Sequence, residues 1–134
     1  MQRHIACFAL VVADYDAAID FYVRKLGFEL LEDTDMGDGK RWVRVAPRGE
    51  QTGAPQTAIL LARAVDDEQR AAIGRQTGGR VGFFLHTDDF ARDHGSMLAN
   101  GVRFLEEPRH EPYGIVAVFE DLHGNRWDLL EPAA

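Results

Sequence analysis

The segments of this chain that read as β-strands include Arg44, His86 and Asp128, whose side chains are charged or titratable. Asp128 is flanked by large apolar residues, and a carboxylate in such surroundings needs a partner. It could form a salt bridge with Arg126 or Arg44, or act as a general base or a metal ligand. Arg44 could be a solvated charge, pair with an acid from the partner sheet or contact a ligand, and His86 could hydrogen-bond a helix cap or a ligand. These groups could anchor a small molecule, and a purely structural role stays open for each.

Aromatic and apolar residues share the predicted sheet face with these groups, because successive side chains of a strand alternate between the two faces. With the continuous apolar layer turned toward the helices, the opposite face holds Cys7, Ala9, Trp42, Arg44, Leu60, Phe84, His86, Val116, Val118 and Asp128. An apolar, partly aromatic lining with a few polar groups is typical of a small-molecule site. The predicted ligand-binding residues are Trp42, Arg44, Phe84, His86, Val118 and Tyr113 of the loop PRHEPYG, with Asp128 as the candidate catalytic residue.

The elements that position these residues come from a pattern that occurs twice. Two segments share one pattern: RKLGFELLED (24–33) and LANGVRFLEE (98–107). Each ends a helix-like run at a glycine, continues into a predicted strand and finishes on acidic residues. Gly27 and Gly101 are 101 − 27 = 74 residues apart. The same offset separates Asp14 from Asp88, Leu31 from Leu105 and Glu32 from Glu106. The sequence therefore predicts a duplicated structural unit.

Each copy reads as strand, helix and three strands. The predicted strands are 5–12, 28–34, 41–45 and 57–61 in the first copy, and 80–87, 102–105, 113–120 and 126–130 in the second. The predicted helix caps are Asp14 or Asp16 in the first copy and Asp88 or Asp89 in the second. The predicted buried face of the second helix consists of Phe90, His94, Met97 and Leu98. The residues 37–39 favour a hairpin turn, and 47–55 reads as a Pro/Gly-rich loop.

A module of this size cannot bury one face of its sheet alone, so a paired copy is expected to complete it. The predicted fold class is α+β: two tandem βαβββ modules that form a paired, cup-shaped mixed sheet with the helices on the convex side. The predicted organisation is a single domain, 1–134, with module one at 1–63, a linker at 64–78 and module two at 79–134. A ligand is expected in the cleft between the modules.

Composition excludes several classes of function. A formal net charge of −7 argues against a nucleic-acid partner, which needs a basic face. No apolar stretch is long enough to span a membrane, and the apolar N-terminal run reads as a buried strand rather than a secretory signal. The single cysteine, Cys7, excludes an internal disulfide and fits a reducing compartment, so the predicted location is cytoplasmic.

The motifs DYDAAIDFYVRKLGFEL, TDDF and FEDLHGNRWDLLEP resemble those of the vicinal oxygen chelate superfamily. This family includes glyoxalase I, bleomycin- and fosfomycin-resistance proteins, extradiol dioxygenases and methylmalonyl-CoA epimerase. The resemblance covers nearly the whole chain and implies the paired βαβββ fold. It also implies that the metal-dependent members hold one divalent ion with four inward side chains, which act with it as a Lewis-acid site.

Carried onto this sequence, the four metal positions fall on Cys7, Leu60, Gly82 and Asp128. Leu60 and Gly82 have no coordinating atom, and two protein ligands seldom hold a catalytic ion. His86 shares the face of Gly82 but lies roughly 13 Å further along the strand. No cofactor is therefore expected, with a divalent metal at Asp128 and Cys7 as the alternative.

Three functions remain open from the sequence. The favoured one is a glyoxalase/bleomycin-resistance-like protein that binds a small organic molecule without the usual metal quartet. The alternative is a divalent-metal-dependent lyase, isomerase or dioxygenase of the same superfamily, and the third is an interaction module with no ligand. A homodimer is expected, because sheet edges and helix flanks of each module need cover.

Overall fold

The computed structural model describes residues 2–49 and 56–134. Most of the predicted Pro/Gly-rich loop, residues 50–55, lies outside the described residues. The chain divides into two compact units, residues 1–73 and 74–134, and the division falls within the predicted linker 64–78. Among the described residues, no helix is long and apolar enough to cross a membrane.

Unit 1 has the βαβββ order predicted for the first copy. Its elements are β1 (Cys7–Val12), α1 (Tyr15–Ile19), a π-helical continuation of α1 (Asp20–Lys25), β2 (Glu29–Gly37), β3 (Lys40–Ala46), β4 (Ala58–Arg63) and α2 (Asp67–Ala72). The strands form a four-stranded mixed sheet in the order β1-β4-β3-β2, with β1 parallel to β4 and the other pairs antiparallel. A turn at residues 37–39 joins β2 to β3, as the sequence predicts.

Local chemistry sets the helix of unit 1. Asp14 is the N-cap, and its carboxylate accepts a hydrogen bond from the backbone N–H of Ala17 at 2.8 Å. Gly27, at φ 76°, ends the helical run in the left-handed region that favours glycine. The helix packs over β3 and β4, and its Tyr22 is 1% exposed. The alternate strand residues Leu10, Val43 and Leu61, which pair in one row, form the other side of this core.

Unit 2 repeats the order and adds one short strand. Its elements are β5 (Val81–His86), α3 (Phe90–Ala99), β6 (Arg103–Phe104), β7 (Arg109–Glu111), β8 (Gly114–Glu120) and β9 (Arg126–Pro132). The sheet order is β5-β9-β8-β6, with β5 parallel to β9, and β7 also pairs with β8. The predicted α+β class and the two βαβββ modules are confirmed. The interpretation of PRHEPYG (108–114) as a loop is wrong at residues 109–111, because β7 forms there.

An aromatic column forms the core of unit 2. Rings at successive contact distances connect helix α3 to the sheet: Phe90, His94, Phe104, Phe119, Trp127 and Phe83, with neighbouring centroids 4.5–5.8 Å apart. Phe119 is fully buried and Trp127 is 4% exposed. Aromatic pairs at these separations add to the free energy of apolar burial. The sheet face toward α3 is therefore the structural face.

Asp89, one of the two predicted caps, is the N-cap of α3, so the spacing from Asp14 is 89 − 14 = 75 residues at this point of the repeat. One detail of α3 differs from the sequence prediction. Leu98, predicted on the buried face, is 49% exposed. Successive helical residues are rotated by about 100°, and Met97, which is 3% exposed, occupies the inward direction instead.

Candidate functional site

One row of side chains crosses the sheet of unit 2 on the face opposite α3. The register pairs Phe84 of β5 with Asp128 of β9, and Asp128 with Val118 of β8. Directly paired residues of neighbouring strands point to the same side of a sheet. Phe84 is 56% exposed, whereas Asp128 and Val118 are partly buried. The structure thus brings together three of the residues that the sequence predicts as a site.

A second row lies two residues further along the same strands. It pairs His86 of β5 with Leu130 of β9, Leu130 with Val116 of β8, and Val116 with Arg109 of β7. Val116 is 1% exposed, and His86 at the strand end is exposed. The helix-cap interpretation of His86 is wrong, because Asp89 and Glu131 accept the hydrogen bonds from the first turn of α3.

Arg109 was not among the predicted site residues, and it is the centre of a polar cluster beside these rows. Its Nε donates to both carboxylate oxygens of Glu106 at 3.1 Å, and its Nη1 lies 3.3 Å from Glu111 Oε1. The same Nη1 donates to the Tyr113 hydroxyl at 3.5 Å. The Tyr113 and Glu106 contacts hold the pKa of Arg109 above its ordinary value, so the guanidinium stays charged. Tyr113 was predicted as a contact, and the structure places it at this cluster.

Glu106 connects the cluster to the row that contains Asp128. Its Oε2 accepts a hydrogen bond from the backbone N–H of Val118 at 3.0 Å. Val118 is paired with Asp128, so the Arg109 cluster and the Asp128 carboxylate share one region of the sheet face. We call the surface formed by Phe84, Asp128, Val118, Arg109 and Tyr113 the β5–β9 face.

Asp128 carries a half-buried carboxyl group. This group forms no hydrogen bond or salt bridge within residues 2–49 and 56–134, so the predicted salt bridge to Arg126 or Arg44 is absent there. Burial raises the pKa of Asp128; the Arg109 guanidinium opposes this increase and the Glu106 carboxylate adds to it. A carboxyl group in this state can accept a hydrogen bond from a bound molecule.

The corresponding face of unit 1 is also partly polar. Arg44 pairs in register with Glu32 of β2 and with Leu60 of β4, and Arg44 Nε donates to Glu32 Oε1 at 2.9 Å. The prediction that Arg44 pairs with an acid is therefore correct, but the predicted location of that acid on the partner sheet is wrong, because Glu32 belongs to the neighbouring strand of the same sheet. Trp42 lies two residues along β3 on this face and is partly exposed.

The repeated glutamates have equivalent roles in the two units. Glu32 and Glu106, which are 106 − 32 = 74 residues apart, each bind the arginine of a strand, Arg44 of β3 and Arg109 of β7. The repeat drew attention to both glutamates in the sequence, but it did not identify Arg109 as a partner. The spacing of Arg109 and Glu111 is a signal that could have identified Arg109 as part of a polar cluster, because alternate residues of a strand share a face.

The residues at the family's metal positions do not fit a divalent ion. Leu60 has no donor atom, and a Cβ added at Gly82 would overlap the side chain of Thr77. No ligand side chain could therefore replace Gly82 without a local shift. Within residues 2–49 and 56–134, no group of three or more His, Cys, Asp or Glu side chains is arranged to hold a metal ion. Cys7 and Asp128 are the two family positions that retain a coordinating atom.

Comparisons with known proteins agree with this fold. The family model of the glyoxalase/bleomycin resistance protein/dioxygenase superfamily matches residues 3–129. An uncharacterized protein of Shewanella frigidimarina (strain NCIMB 400) is 53% identical over 132 residues, which are 98% of this chain and 95% of that protein.

Two solved structures are similar over nearly their whole length. UcmS2 has a TM-score of 0.80 at 30% identity, covering 98% of this chain and 99% of that one. TnmS3, described as an antibiotic binding protein from Streptomyces sp. CB03234, has a TM-score of 0.74 at 32% identity, covering 98% of each chain. With the family model matched over almost all of its residues, the chain belongs to the glyoxalase/bleomycin resistance protein/dioxygenase superfamily.

Proposed function

We propose that this protein binds a small organic molecule with an aromatic ring system on the β5–β9 face, and that binding needs no metal ion. The observation that carries the proposal is the row Phe84–Asp128–Val118. It sets an aromatic ring that is 56% exposed beside a carboxyl group that has no partner among the described residues. Sites for small molecules typically combine apolar burial with a few polar groups that fix orientation.

The apolar part of this face can contribute most of the affinity. Burying a Phe side chain completely contributes about 1.5–3 kcal/mol, at roughly 25 cal/mol per Å² of apolar surface. Ring contacts in offset or edge geometry add to that value. Phe84 therefore favours a ligand with a flat apolar surface, and Val118 widens the apolar contact area beside it.

The polar part can orient the ligand. Asp128 is available as an acceptor, and the Tyr113 hydroxyl lies at the edge of the face beside Arg109. His86, exposed at the end of β5, is a further proposed contact. Trp42 and Arg44 on the corresponding face of unit 1 remain proposed ligand contacts, as the sequence predicts.

The relatives support a binding role. TnmS3, at 32% identity, is described as an antibiotic binding protein. A binding protein of this type needs a complementary surface but no Lewis acid, and Leu60 and Gly82 lack the atoms that would complete the family's metal site. Metal-independent binding is therefore the function that the side chains of this chain favour.

The test is a binding screen of aromatic antibiotics and related planar compounds by isothermal titration calorimetry, in buffer that contains a chelator. We expect the hits to bind the wild type in chelator and to bind the Phe84→Ala variant about tenfold more weakly, or about 1.4 kcal/mol. The matched control is Leu98→Ala, since Leu98 is a similarly exposed apolar residue of unit 2 on helix α3.

Two outcomes would contradict the proposal. Hits that bind Phe84→Ala and wild type equally would show that the ligand uses another surface. Binding that is lost in chelator, together with close to one zinc, nickel, iron or manganese per chain by elemental analysis, would favour the metal-dependent lyase, isomerase or dioxygenase. Asp128 and Cys7 would then be the first ligands to substitute.

We also propose that the protein is a homodimer. The edge strand β2 exposes three large apolar side chains, Leu30, Leu31 and Met36, at 39–55%. Exposed edges of this kind commonly pair with a second chain. Light scattering at tens of micromolar should give 2 × 15.0 = 30.0 kDa, and a value near 15.0 kDa would contradict the dimer.

A further inference from the structure

We infer that the ligand of the β5–β9 face carries a protonated amine on its aromatic ring system, and that Asp128 binds this amine. The inference rests on the proposed function, because it assigns the chemical class of the ligand at the same site. It follows from the distribution of charge around Phe84 and from the contacts that Arg109 already makes.

The first step is the state of Arg109. Its guanidinium has two carboxylate partners, Glu106 and Glu111, and the Tyr113 hydroxyl as a third contact. Its Nε and Nη1 are thus engaged within the protein, and two carboxylates already offset its single positive charge. Arg109 is therefore a poor anchor for a carboxylate or phosphate.

The second step is the balance of charge. Around Arg109 stand three carboxyl groups, Glu106, Glu111 and Asp128, against one guanidinium. Arg126 lies two residues from Asp128 on the same face but forms no salt bridge with it among the described residues. The excess of carboxylates over guanidinium groups attracts a cation and repels an anion. Both interactions weaken as salt is added.

The third step is the geometry beside the aromatic ring. Asp128 is the direct cross-strand partner of Phe84, so a flat molecule on Phe84 brings a substituent at its edge next to the carboxyl group. A protonated amine there would form a charge-assisted hydrogen bond with a carboxylate that lacks a partner among the described residues. The Phe84 ring face also attracts a nearby cation.

The experiment uses a pair of fluorescent probes with the same ring system and opposite charge, titrated with the wild-type protein near neutral pH. They are 9-aminoacridine, which is a cation at this pH, and acridine-9-carboxylic acid, which is an anion. We expect aminoacridine to bind at least tenfold more tightly than the carboxylate. The Asp128→Asn substitution should weaken aminoacridine binding about tenfold and leave the carboxylate unchanged or slightly tighter. Added salt should reduce the preference in the wild type.

The matched control is Asp38→Asn, which removes the same charge from the hairpin of unit 1. Asp38 has a φ of 55°, a conformation that Asn also adopts readily, so this variant should keep the fold. It should bind both probes as the wild type does. A loss of the same size in Asp38→Asn would show a long-range effect of net charge and overturn the assignment to Asp128.

The remaining outcomes separate this inference from the proposed function. If both probes bind equally and Phe84→Ala weakens both, the face binds aromatic molecules and the charge assignment is wrong. If the carboxylate binds more tightly, the assignment is also wrong. If neither probe binds while antibiotics from the calorimetric screen do, the amine on a planar ring is not what the face recognises. Binding of nothing in either experiment overturns the proposed function itself.

Discussion

The two units build the same sheet but distribute charge on it differently. In each unit a parallel pair of strands, β1 with β4 and β5 with β9, is extended by antiparallel partners, and a repeated glutamate binds an arginine on the face opposite the helix. In unit 1 the opposite charges of Glu32 and Arg44 cancel, so the pair has no net charge. In unit 2 Glu111 and Asp128 add two further carboxyl groups around Arg109.

Under the proposed function, this difference is what would select the charge of the ligand. In unit 1 Leu60 stands in the row of Arg44, whereas the equivalent position on the last strand of unit 2 is Asp128. An aromatic residue, Phe84, takes the place that the small Ala9 has in the first unit. The duplicated scaffold thus supplies the same backbone twice, and a few substitutions on one copy provide both the apolar surface and the acceptor.

The largest expected effect tests whether the two faces of the second sheet have different roles. Phe119→Ala removes a fully buried ring from the aromatic column and should lower the free energy of unfolding by about 3–5 kcal/mol. Phe84→Ala removes an exposed ring from the opposite face and should cost less than about 1 kcal/mol. Urea unfolding of both variants measures the difference. Equal losses would show that Phe84 belongs to the core, and the comparison between the units would then fail.

A smaller effect is expected for the balanced pair of unit 1. The side chains of Arg44 and Glu32 are 31% and 37% exposed, so their coupling in a double-mutant cycle should be about 0.2–1 kcal/mol. The cycle uses Arg44→Gln, Glu32→Gln and the double variant in urea unfolding. A coupling well above this range would mean that the pair is effectively buried. The neutral face of unit 1 would then be a structural feature with no exposed polar group to offer a ligand.

The smallest effect concerns the carboxyl group of unit 2. Burial raises the folded-state pKa of Asp128 above its ordinary value of 3.8. The free energy of unfolding therefore decreases as pH rises above 3.8, and the decrease is complete above the folded-state pKa. Arg109 and Glu106 are the charged groups that modify this titration. Asp128→Asn removes the penalty, and it should be slightly more stable than the wild type near neutral pH.

The advantage of Asp128→Asn should disappear as pH falls below 3.8, where the wild-type carboxyl is protonated in both states. Chemical unfolding at several pH values measures this trend. A variant that is less stable than the wild type near neutral pH would show that Asp128 has a stabilising partner, and the carboxyl group would then not be available to a ligand. A substitution that removes an unpaired polar group from a binding site is expected to stabilise the fold and to weaken ligand binding.

Much of the site's position could be predicted by alternation along single strands. Phe84, Val118 and Asp128 were placed on one face from the period of two residues, and the register puts them in one row. The helix-facing aromatic residues follow from the same period. Alternation did not predict strand β7, because its three residues lie between Pro108 and Pro112 and show no alternation of apolar residues. Proline is tolerated at an edge strand, where a missing N–H costs no ladder hydrogen bond.

The sequence by itself determined the duplicated βαβββ order, two candidate aspartates for each helix cap, the helix-ending glycines and the lack of donor atoms at Leu60 and Gly82. Each of these depends on side-chain identity or on neighbours within a few residues. The tertiary structure decided which acid binds Arg44, that Arg109 joins the β5–β9 face, and that Asp128 is left without a partner among the described residues. These contacts depend on the register between strands that are far apart or weakly patterned in the sequence, and that register is fixed by backbone pairing and core packing together.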